Sequence, residues 1–501
     1  MRKKKFYITT TLPYVNSTPH IGFALEIVQA DVVARYHSLL GEEVFFNFGT
    51  DEHGQKIYQK AVEEQKDPQK YTDEYAAKFD NLKKALNLSY NNFIRTTDPH
   101  HKKAAVEIWN ICLKNGFIEK GIYTAKYCVG CELEKQDSEL EGGKCPIHPN
   151  LLLQQIKEEN YFFKFSKFQN KLLALYKKYP DFVIPAHRLK EITNFVKSGL
   201  ADFSVSRLKE KMPWGVPVPN DHQHVMYVWF DALTNYISAL GWPENKKRFA
   251  DFWGTIDSPN ALQVAGKDNL RQQSAMWQAM LLAAGLPPSR QIFIHGFITS
   301  GGAKMSKSMG NVIDPFSYAE KYGTDALRYY LLAKISPTED SDFTKEKFEE
   351  VYNGDLANGL GNLVARVAKL CEQASYKNST RVQSYAENFK TEDEKYFLGS
   401  DSINDVRNDR KDIANFKFDS ALRWIWIDID GLNQKINNSE PWKLLKKQNT
   451  KLFGLLEEFV QDILNIGLLL QPLLPETAEK IIRQFSSEKI VSQSPLFPRL
   501  K

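Results

Sequence analysis

The spacing of apolar positions changes along the chain and marks its parts. Residues 6–10 form a short β-favouring run, and Pro13, Asn16, Ser17 and Pro19 then impose an irregular loop. From 20 to 40, Ile21, Leu25, Val28, Val32, Tyr36 and Leu39 recur at helical spacing. Residues 44–48 are apolar enough for a buried strand, which ends in Gly49-Thr-Asp-Glu-His-Gly54 before a second helical stretch. Strand, loop, helix and strand in this order predict half of a parallel α/β sheet. From 117 to 214 the pattern breaks into short β-like pieces, glycines and a cysteine cluster, as an insertion would. The rhythm resumes with strand-like runs at 224–230, 261–265 and 291–294, each before a polar loop. Beyond about 351 the chain reads as helical throughout. Leu452, Leu455, Leu456, Phe459 and Ile463 follow i, i+3, i+4 spacing, which predicts a helical bundle.

A length of 501 residues suggests three or four structural units. Hydrophobic residues at 42% and charged residues at 25% fit a globular protein and exclude a disordered chain, a fibre or a small disulfide scaffold. The net charge of +5 is too small to imply nucleic-acid binding, so any such surface must be a local patch. Of five cysteines, Cys128, Cys131 and Cys145 crowd together while Cys112 and Cys371 stand alone. That distribution argues for a reducing compartment and one metal site. The basic start lacks the apolar stretch and cleavage site of a signal peptide, and no apolar run is long enough to span a membrane. A cytoplasmic location is expected.

Three stretches carry chemistry. Cys128-x2-Cys131 and Cys145-x2-His148 offer two pairs of ligands from two short loops, which can close a tetrahedron around one structural zinc ion. Gly130, Gly142 and Gly143 ease the turns that such knuckles need. Thr11-Leu-Pro-Tyr-Val-Asn-Ser-Thr-Pro-His-Ile-Gly22 joins a strand to a helix start, where free N–H groups and the helix dipole favour a phosphate. The residue pattern alone leaves His20 open as a phosphate donor or a simple helix cap. The chain has no P-loop signature and no dinucleotide fingerprint after the first strand. Gly301-Gly-Ala-Lys-Met-Ser-Lys-Ser-Met-Gly310 sets two lysines between glycine hinges, a basic loop able to close on a polyphosphate.

His20-Ile-Gly22 resembles the "HIGH" box of class I aminoacyl-tRNA synthetases, and Lys304-Met-Ser-Lys-Ser308 is similar to their "KMSKS" loop letter for letter. Gly49-Thr-Asp-Glu-His-Gly54, Tyr227-Val-Trp-Phe-Asp-Ala232, the cysteine knuckle, Asp355-Leu-Ala-Asn358, Gly361-Asn-Leu363 and Glu440-Pro-Trp-Lys443 resemble the methionyl-tRNA synthetases in particular. The resemblance runs from residue 6 to about 475. It implies an α/β Rossmann-like parallel sheet split by a zinc-knuckle insertion and followed by an α-helical anticodon-binding domain. The implied divisions are 1–116 and 223–298 for the two sheet halves and 117–222 for the insertion. The KMSKS and stem-contact region would be 299–350, and the anticodon-binding bundle 351–501.

The implied reaction forms methionyl-adenylate and pyrophosphate from methionine and ATP-Mg²⁺, then transfers the methionyl group to the 3′-terminal ribose of tRNA(Met). By resemblance, His20, Lys304 and Lys307 are catalytic, and Gly22, Glu26 and Asp268 complete the ATP site. Leu12, Tyr14, Asp51, Trp229, Ala232 and Tyr236 form the methionine site, with Gln273 as a further contact. Asn362, Arg366 and Trp442 read the anticodon. The chain departs from the family pattern at Phe23, Asn269, Gln273 and Leu233, which puts amino-acid selection in question. The chain stops just past the bundle, so a monomer is expected. Leucine, isoleucine and valine enzymes carry a large editing insertion for which the middle segment leaves no room, and cysteine enzymes use a catalytic zinc. A non-catalytic tRNA-binding relative is the reading from a different class.

Overall fold

Six strands form the central sheet of the computed structural model, which describes residues 3–131, 133–135, 139–305, 310–379 and 408–500. They are β1 (Lys5–Thr10), β2 (Glu43–Thr50), β3 (Asn92–Arg95), β4 (Val183–Ile184), β5 (Ala261–Gly266) and β6 (Gln291–His295). Their order is β3-β2-β1-β5-β6-β4, and every neighbouring pair is parallel. Tyr7 of β1 lies opposite Ala261 on one side and Phe45 on the other. Both faces are covered, so these strands read as near-continuous apolar runs. Helix α1 (Ile21–Leu39) connects β1 to β2 and is buried on nearly every side. Its apolar core continues without a break into the C-terminal helices.

The insertion builds an antiparallel sheet from Leu133–Lys135, Ile118–Cys128, Gln154–Phe163 and Phe203–Ser204, with helices Gln169–Lys178 and Ala186–Lys197. It also lends β4 to the edge of the central sheet, where Val183 pairs with Ile292.

Two expectations change. The strand-like run at 224–230 is not a strand of the central sheet. Asp221–Met226 pairs with Ser206–Leu208 and Pro217–Val218 in a small antiparallel sheet, and Val228–Ala232 is helical. Short apolar runs read alike in both states. Here the amides of Phe230 and Asp231 turn back onto the Tyr227 carbonyl and start a helix. The C-terminal part is also not helical to its end. Helices Asn362–Gln373, Phe418–Ser439, Pro441–Lys446, Lys451–Leu470 and Pro475–Phe485 pack together, but residues 486–500 are irregular. Pro495 and Pro498 forbid a helix there. The segment is pinned by buried Phe497 and by Leu500, whose amide donates to Asn353 Oδ1 at 2.9 Å. Among the described residues no helix is long and apolar enough to cross a membrane.

Candidate active site and metal cluster

The strand order reverses between β1 and β5, and the crevice beyond the carboxyl ends of those strands is where open α/β sheets bind ligands. Thr11, leaving β1, donates its amide to Val264 at 3.2 Å and to Glu26 Oε1 at 2.8 Å. Glu26 rises from α1, and its other oxygen meets His295 Nε2 at 2.9 Å. His295 ends β6, and its Nδ1 lies 2.7 Å from the Gly296 carbonyl. Both ring nitrogens face acceptors. Burial disfavours the imidazolium, but the Glu26 hydrogen bond and charge outweigh it and raise the pKa. Gly266 closes the group, since a Cβ there would stand 2.8 Å from Asp268 Oδ1 and 3.5 Å from the His295 ring. Asp268 itself is exposed at the rim.

His20 caps α1. Its Nδ1 accepts the Gly22 amide at 3.1 Å, so the proton of the neutral ring sits on Nε2. Burial pushes the pKa down to about 4. The ring lies over Gly22, where a Cβ would approach Cε1 to 2.9 Å. Phe23 continues the stack, 4.3 Å from His20 and edge-on to Phe79 at 5.4 Å. The Ile21 amide bonds to the Ile313 carbonyl at 3.0 Å, tying the helix start to the segment after the Gly301–Gly310 string. That string opens as a hairpin of Ile298–Ser300 and Ala303–Lys304, turning at Gly301 and Gly302, both at positive φ. Asp342 anchors the turn through the Gly302 amide at 2.7 Å and Thr299 Oγ1 at 2.8 Å. Lys304 ends the hairpin, and Lys307 lies outside the described residues.

On the other side of β1, the loops after β1 and β2 are zipped together. The Asp51 amide donates to Pro13, and Val15 donates back to Asp51. This sets Tyr14 beside buried Asp51. Gly54 is required here because a Cβ would stand 2.4 Å from the Tyr14 hydroxyl. Glu52 and His53 point away into structure. Glu52 holds Arg95 at 2.6 and 2.9 Å. Asp231 accepts from His53 at 2.6 Å and His101 at 2.8 Å, bridging the two sheet halves. Leu12 packs on the same apolar cluster as Tyr236, and Ala232 and Tyr236 are i, i+4 neighbours in chain, both buried. Trp229 is half-buried, and its indole N–H has no protein partner. Burial foremost, with help from nearby Glu26 and Asp51, holds the Tyr236 phenol above its usual pKa against donors Gln273 and Asn235. Gln273 is buried at 1% exposure and bonds Tyr236.

The donor atoms of Cys128, Cys131, Cys145 and His148 lie within 4.8 Å of one another. Cys131 Sγ is 3.6 Å from Cys145 Sγ and 3.2 Å from His148 Nδ1. A tetrahedral ion with metal–sulfur bonds near 2.3 Å sets sulfurs roughly 3.8 Å apart, so the four residues can hold a metal. Gly142 and Gly143 take positive φ, whereas Gly130 serves by close approach: a Cβ there would meet the His148 ring at 2.5 Å. The cluster is tied to the crevice twice. Lys56 donates to the Gly130 carbonyl at 2.7 Å, and Arg271 pairs with Glu139 at 2.7 Å.

Far along the chain, Asn362 and Arg366 are one turn apart on Asn362–Gln373. Arg366 reaches Asn433 Oδ1 at 3.3 Å and Asn437 Oδ1 at 2.8 Å on Phe418–Ser439. Trp442 stands 39% exposed just after the turn that ends that helix.

The sequence matches the family described as tRNA synthetases class I (M) over residues 6–151 and 152–368. The chain belongs to this family. It is 39% identical to the Thermotoga maritima methionine–tRNA ligase over 497 residues, covering 98% of this chain and 77% of that protein. It is also 39% identical to the Nostoc methionine–tRNA ligase over 484 residues, covering 96% of this chain and 90% of that protein. The solved structure of Mycobacterium tuberculosis methionyl-tRNA synthetase with methionyl-adenylate superposes with a TM-score of 0.87 at 31% identity, covering 99% of this chain and all of that one.

Within this family frame, three of the four departures have local explanations. Phe23, where a second histidine is usual, is a packing residue between His20 and Phe79. Asn269 turns onto Asp268 at 3.2 Å. Gln273 is hydrogen-bonded to Gln263 and Tyr236 and leaves no loose polar wall. Sequence reading missed His295, Gln263, Asn433 and Asn437. For His295 the signal was its place at the carboxyl end of a strand next to the switch point.

Proposed function

We propose that the chain is a methionine–tRNA ligase in a reducing, cytoplasmic compartment. The carboxylate of methionine attacks the α-phosphorus of ATP, pyrophosphate leaves, and methionyl-adenylate forms. A hydroxyl of the 3′-terminal ribose of tRNA(Met) then attacks the acyl carbon, and AMP leaves. One arrangement carries this reading: a neutral histidine donor starts the helix that leaves β1 beside the switch point of a parallel sheet, and the residue after it bonds to Ile313 in the segment that follows a glycine-hinged hairpin ending at Lys304. Such a site needs no protein nucleophile. It orients two reactants and offers donors to a crowded anion.

His20 Nε2–H contacts phosphates at the start of α1, where Gly22 lets the backbone approach the nucleotide closely. Lys304 and Lys307 close over them and neutralise charge that builds on the leaving pyrophosphate. Glu26 and Asp268 border the nucleotide. Asp51 binds the ammonium group of methionine, beside backbone from Leu12 to Tyr14. Trp229, Ala232 and Tyr236 enclose its side chain, because a thioether is soft and favours aromatic walls. Mg²⁺ enters with ATP and offsets phosphate charge. Asn362, Arg366 and Trp442 bind the anticodon, the indole by stacking and the polar groups by base-edge contacts. The divisions at 116, 222, 298 and 350 follow these roles.

Amino-acid-dependent ATP–pyrophosphate exchange, without tRNA, tests the reading. Exchange with methionine alone of the twenty amino acids is expected. Exchange with another amino acid, or with none in a folded sample, would overturn it.

The ion at Cys128, Cys131, Cys145 and His148 is one structural zinc, since three thiolates and an imidazole leave no open position. Native mass spectrometry is expected to find one zinc per chain and none in Cys128→Ser. Chelation should increase amide exchange in Ile118–Cys128 and Gln154–Phe163 while leaving β1 and β5 protected.

A further inference from the structure

Phe23 touches the donor at the start of α1 but has no chemistry of its own to offer. The His20 imidazole is tethered at one point, by the Gly22 amide on Nδ1 at 3.1 Å. One hydrogen bond at Nδ1 acts as a hinge, about which Nε2, across the ring, can still swing. The Phe23 ring supplies a second constraint. Its centroid lies 4.3 Å from that of His20 with the planes 35° apart, so the two rings are in contact. Phe23 is in turn braced edge-on by Phe79 at 5.4 Å and 84°. Phe79, on helix Pro68–Asp80, has no exposed surface and belongs to the apolar cluster that also holds Leu25 and Ile57. Three rings thus run from the core to the donor. Gly22 leaves room for the last of them, since a Cβ there would stand 2.9 Å from Cε1 and 3.0 Å from Nδ1.

We propose that Phe23, braced by Phe79, is a positioning residue that fixes the tilt of the His20 imidazole and so keeps its Nε2 proton aimed at one point. This rests on the reading of His20 as a phosphate donor in a methionine–tRNA ligase. A donor fixed before the reaction needs no reorganisation when charge develops, and a small misplacement forfeits much of the gain. A histidine at position 23 would not do the same here. It would set a polar N–H against Phe79, which has no lone pair to accept it, and a donor left unpaired there is costly. Where a second histidine is usual, this chain has a ring that holds the first.

Methionine-dependent pyrophosphate exchange by Phe23→Leu, with and without His20→Ala, is the test, because leucine keeps an apolar side chain but removes the ring. Phe23→Leu should lower kcat about tenfold with the KM for methionine unchanged. In the His20→Ala background it should change kcat by less than about twofold, since a residue that acts through His20 then has nothing to position. Phe23→Tyr keeps the stack and should retain the wild-type kcat, whereas Phe23→His should fall below it. The ring nitrogens of ¹⁵N-labelled histidine read the imidazole without reference to activity, with the His20 signals identified by their loss in His20→Ala. The wild type should show an unprotonated Nδ1 and a protonated Nε2, and Phe23→Leu should move both toward an averaged value. If Phe23→Leu fails to fold, Phe23→Met takes its place with the same expectations. An equal loss of kcat in both backgrounds, a Phe23→His enzyme faster than wild type, or unchanged His20 signals in Phe23→Leu overturns the proposal and leaves the ligase reading intact. Absence of methionine exchange in the folded wild type overturns both.

Discussion

Arg328→Met is expected to cost about 3–5 kcal/mol of stability, because it strands a buried carboxylate and three carbonyls at once. Arg328 and Asp31 have no exposed side-chain surface and meet at 2.8 Å. Asp31 also accepts from Arg35 Nε at 2.8 Å, the Ser89 amide at 2.6 Å and Ser89 Oγ at 2.7 Å. Arg328 further donates to the carbonyls of Leu473 at 2.9 Å, Leu86 at 3.1 Å and Pro472 at 3.2 Å. One guanidinium thus joins α1, the turn after residue 85 and the turn before helix Pro475–Phe485. Burial alone would raise the Asp31 pKa, but the charges of Arg328 and Arg35 outweigh it and hold the carboxyl below the usual range.

Asp31→Asn should cost a similar amount by leaving Arg328 charged and uncompensated. Exchanging both, Asp31→Leu with Arg328→Met, should recover much of the loss, since the penalty belongs to an unpaired charge. Urea unfolding followed by tryptophan fluorescence measures all three. The depressed Asp31 pKa adds stability that is fully present above the unfolded value near 4 and is lost as pH falls through the folded value. The gap between wild type and Asp31→Asn should therefore narrow in acid below about pH 4. A gap that stays constant to pH 3 would show that Asp31 is not held ionised by its partners.

None of this pair was visible in the sequence. Residues 31 and 328 lie in a helical pattern as ordinary charged positions, and only folding shows that both are inside. The same limit separates what the sequence disclosed of the site from what it hid. His20, the cysteine cluster and the glycine-flanked lysines are local patterns, where chemistry and spacing coincide within a few residues. Strands β1, β2, β5 and β6 were legible because burial on both faces makes them continuous apolar runs, whereas β3 and β4 are only four and two residues long and were not read. His295 with Glu26, Arg366 with Asn433 and Asn437, and Gln273 with Gln263 depend on contacts between distant segments. Amides and single histidines carry no periodic signal that would announce such pairing. The run at 224–230 failed for a different reason, since an apolar stretch of that length fits a buried strand or a buried helix equally well.

His20→Ala is expected to lower the rate of methionine-dependent pyrophosphate exchange by about 10²–10³-fold, the usual cost of removing one preorganised donor from a developing oxyanion. The donor is a neutral imidazole. Its Nδ1 is occupied by the Gly22 amide and its pKa is depressed to about 4 by burial, so above that pH the single proton stays on Nε2. A histidine of ordinary pKa would gain charge below about 6.5 and change its contact with phosphate across the working range. This one does not. The ratio of wild-type to His20→Ala rates should therefore be flat from pH 5.5 to 8.5, a comparison that cancels the titration of ATP and of the other site residues. The depressed pKa also means that neutral His20 favours the folded state. That contribution is complete above the unfolded value near 6.5 and fades as pH drops toward 4, when protonation of Nδ1 would break the cap on α1. A rate ratio that rises or falls by severalfold through pH 6.5 would show that His20 titrates as an exposed histidine does. The donor at the helix start would then be an imidazolium, bound to phosphate by its charge rather than by a fixed N–H.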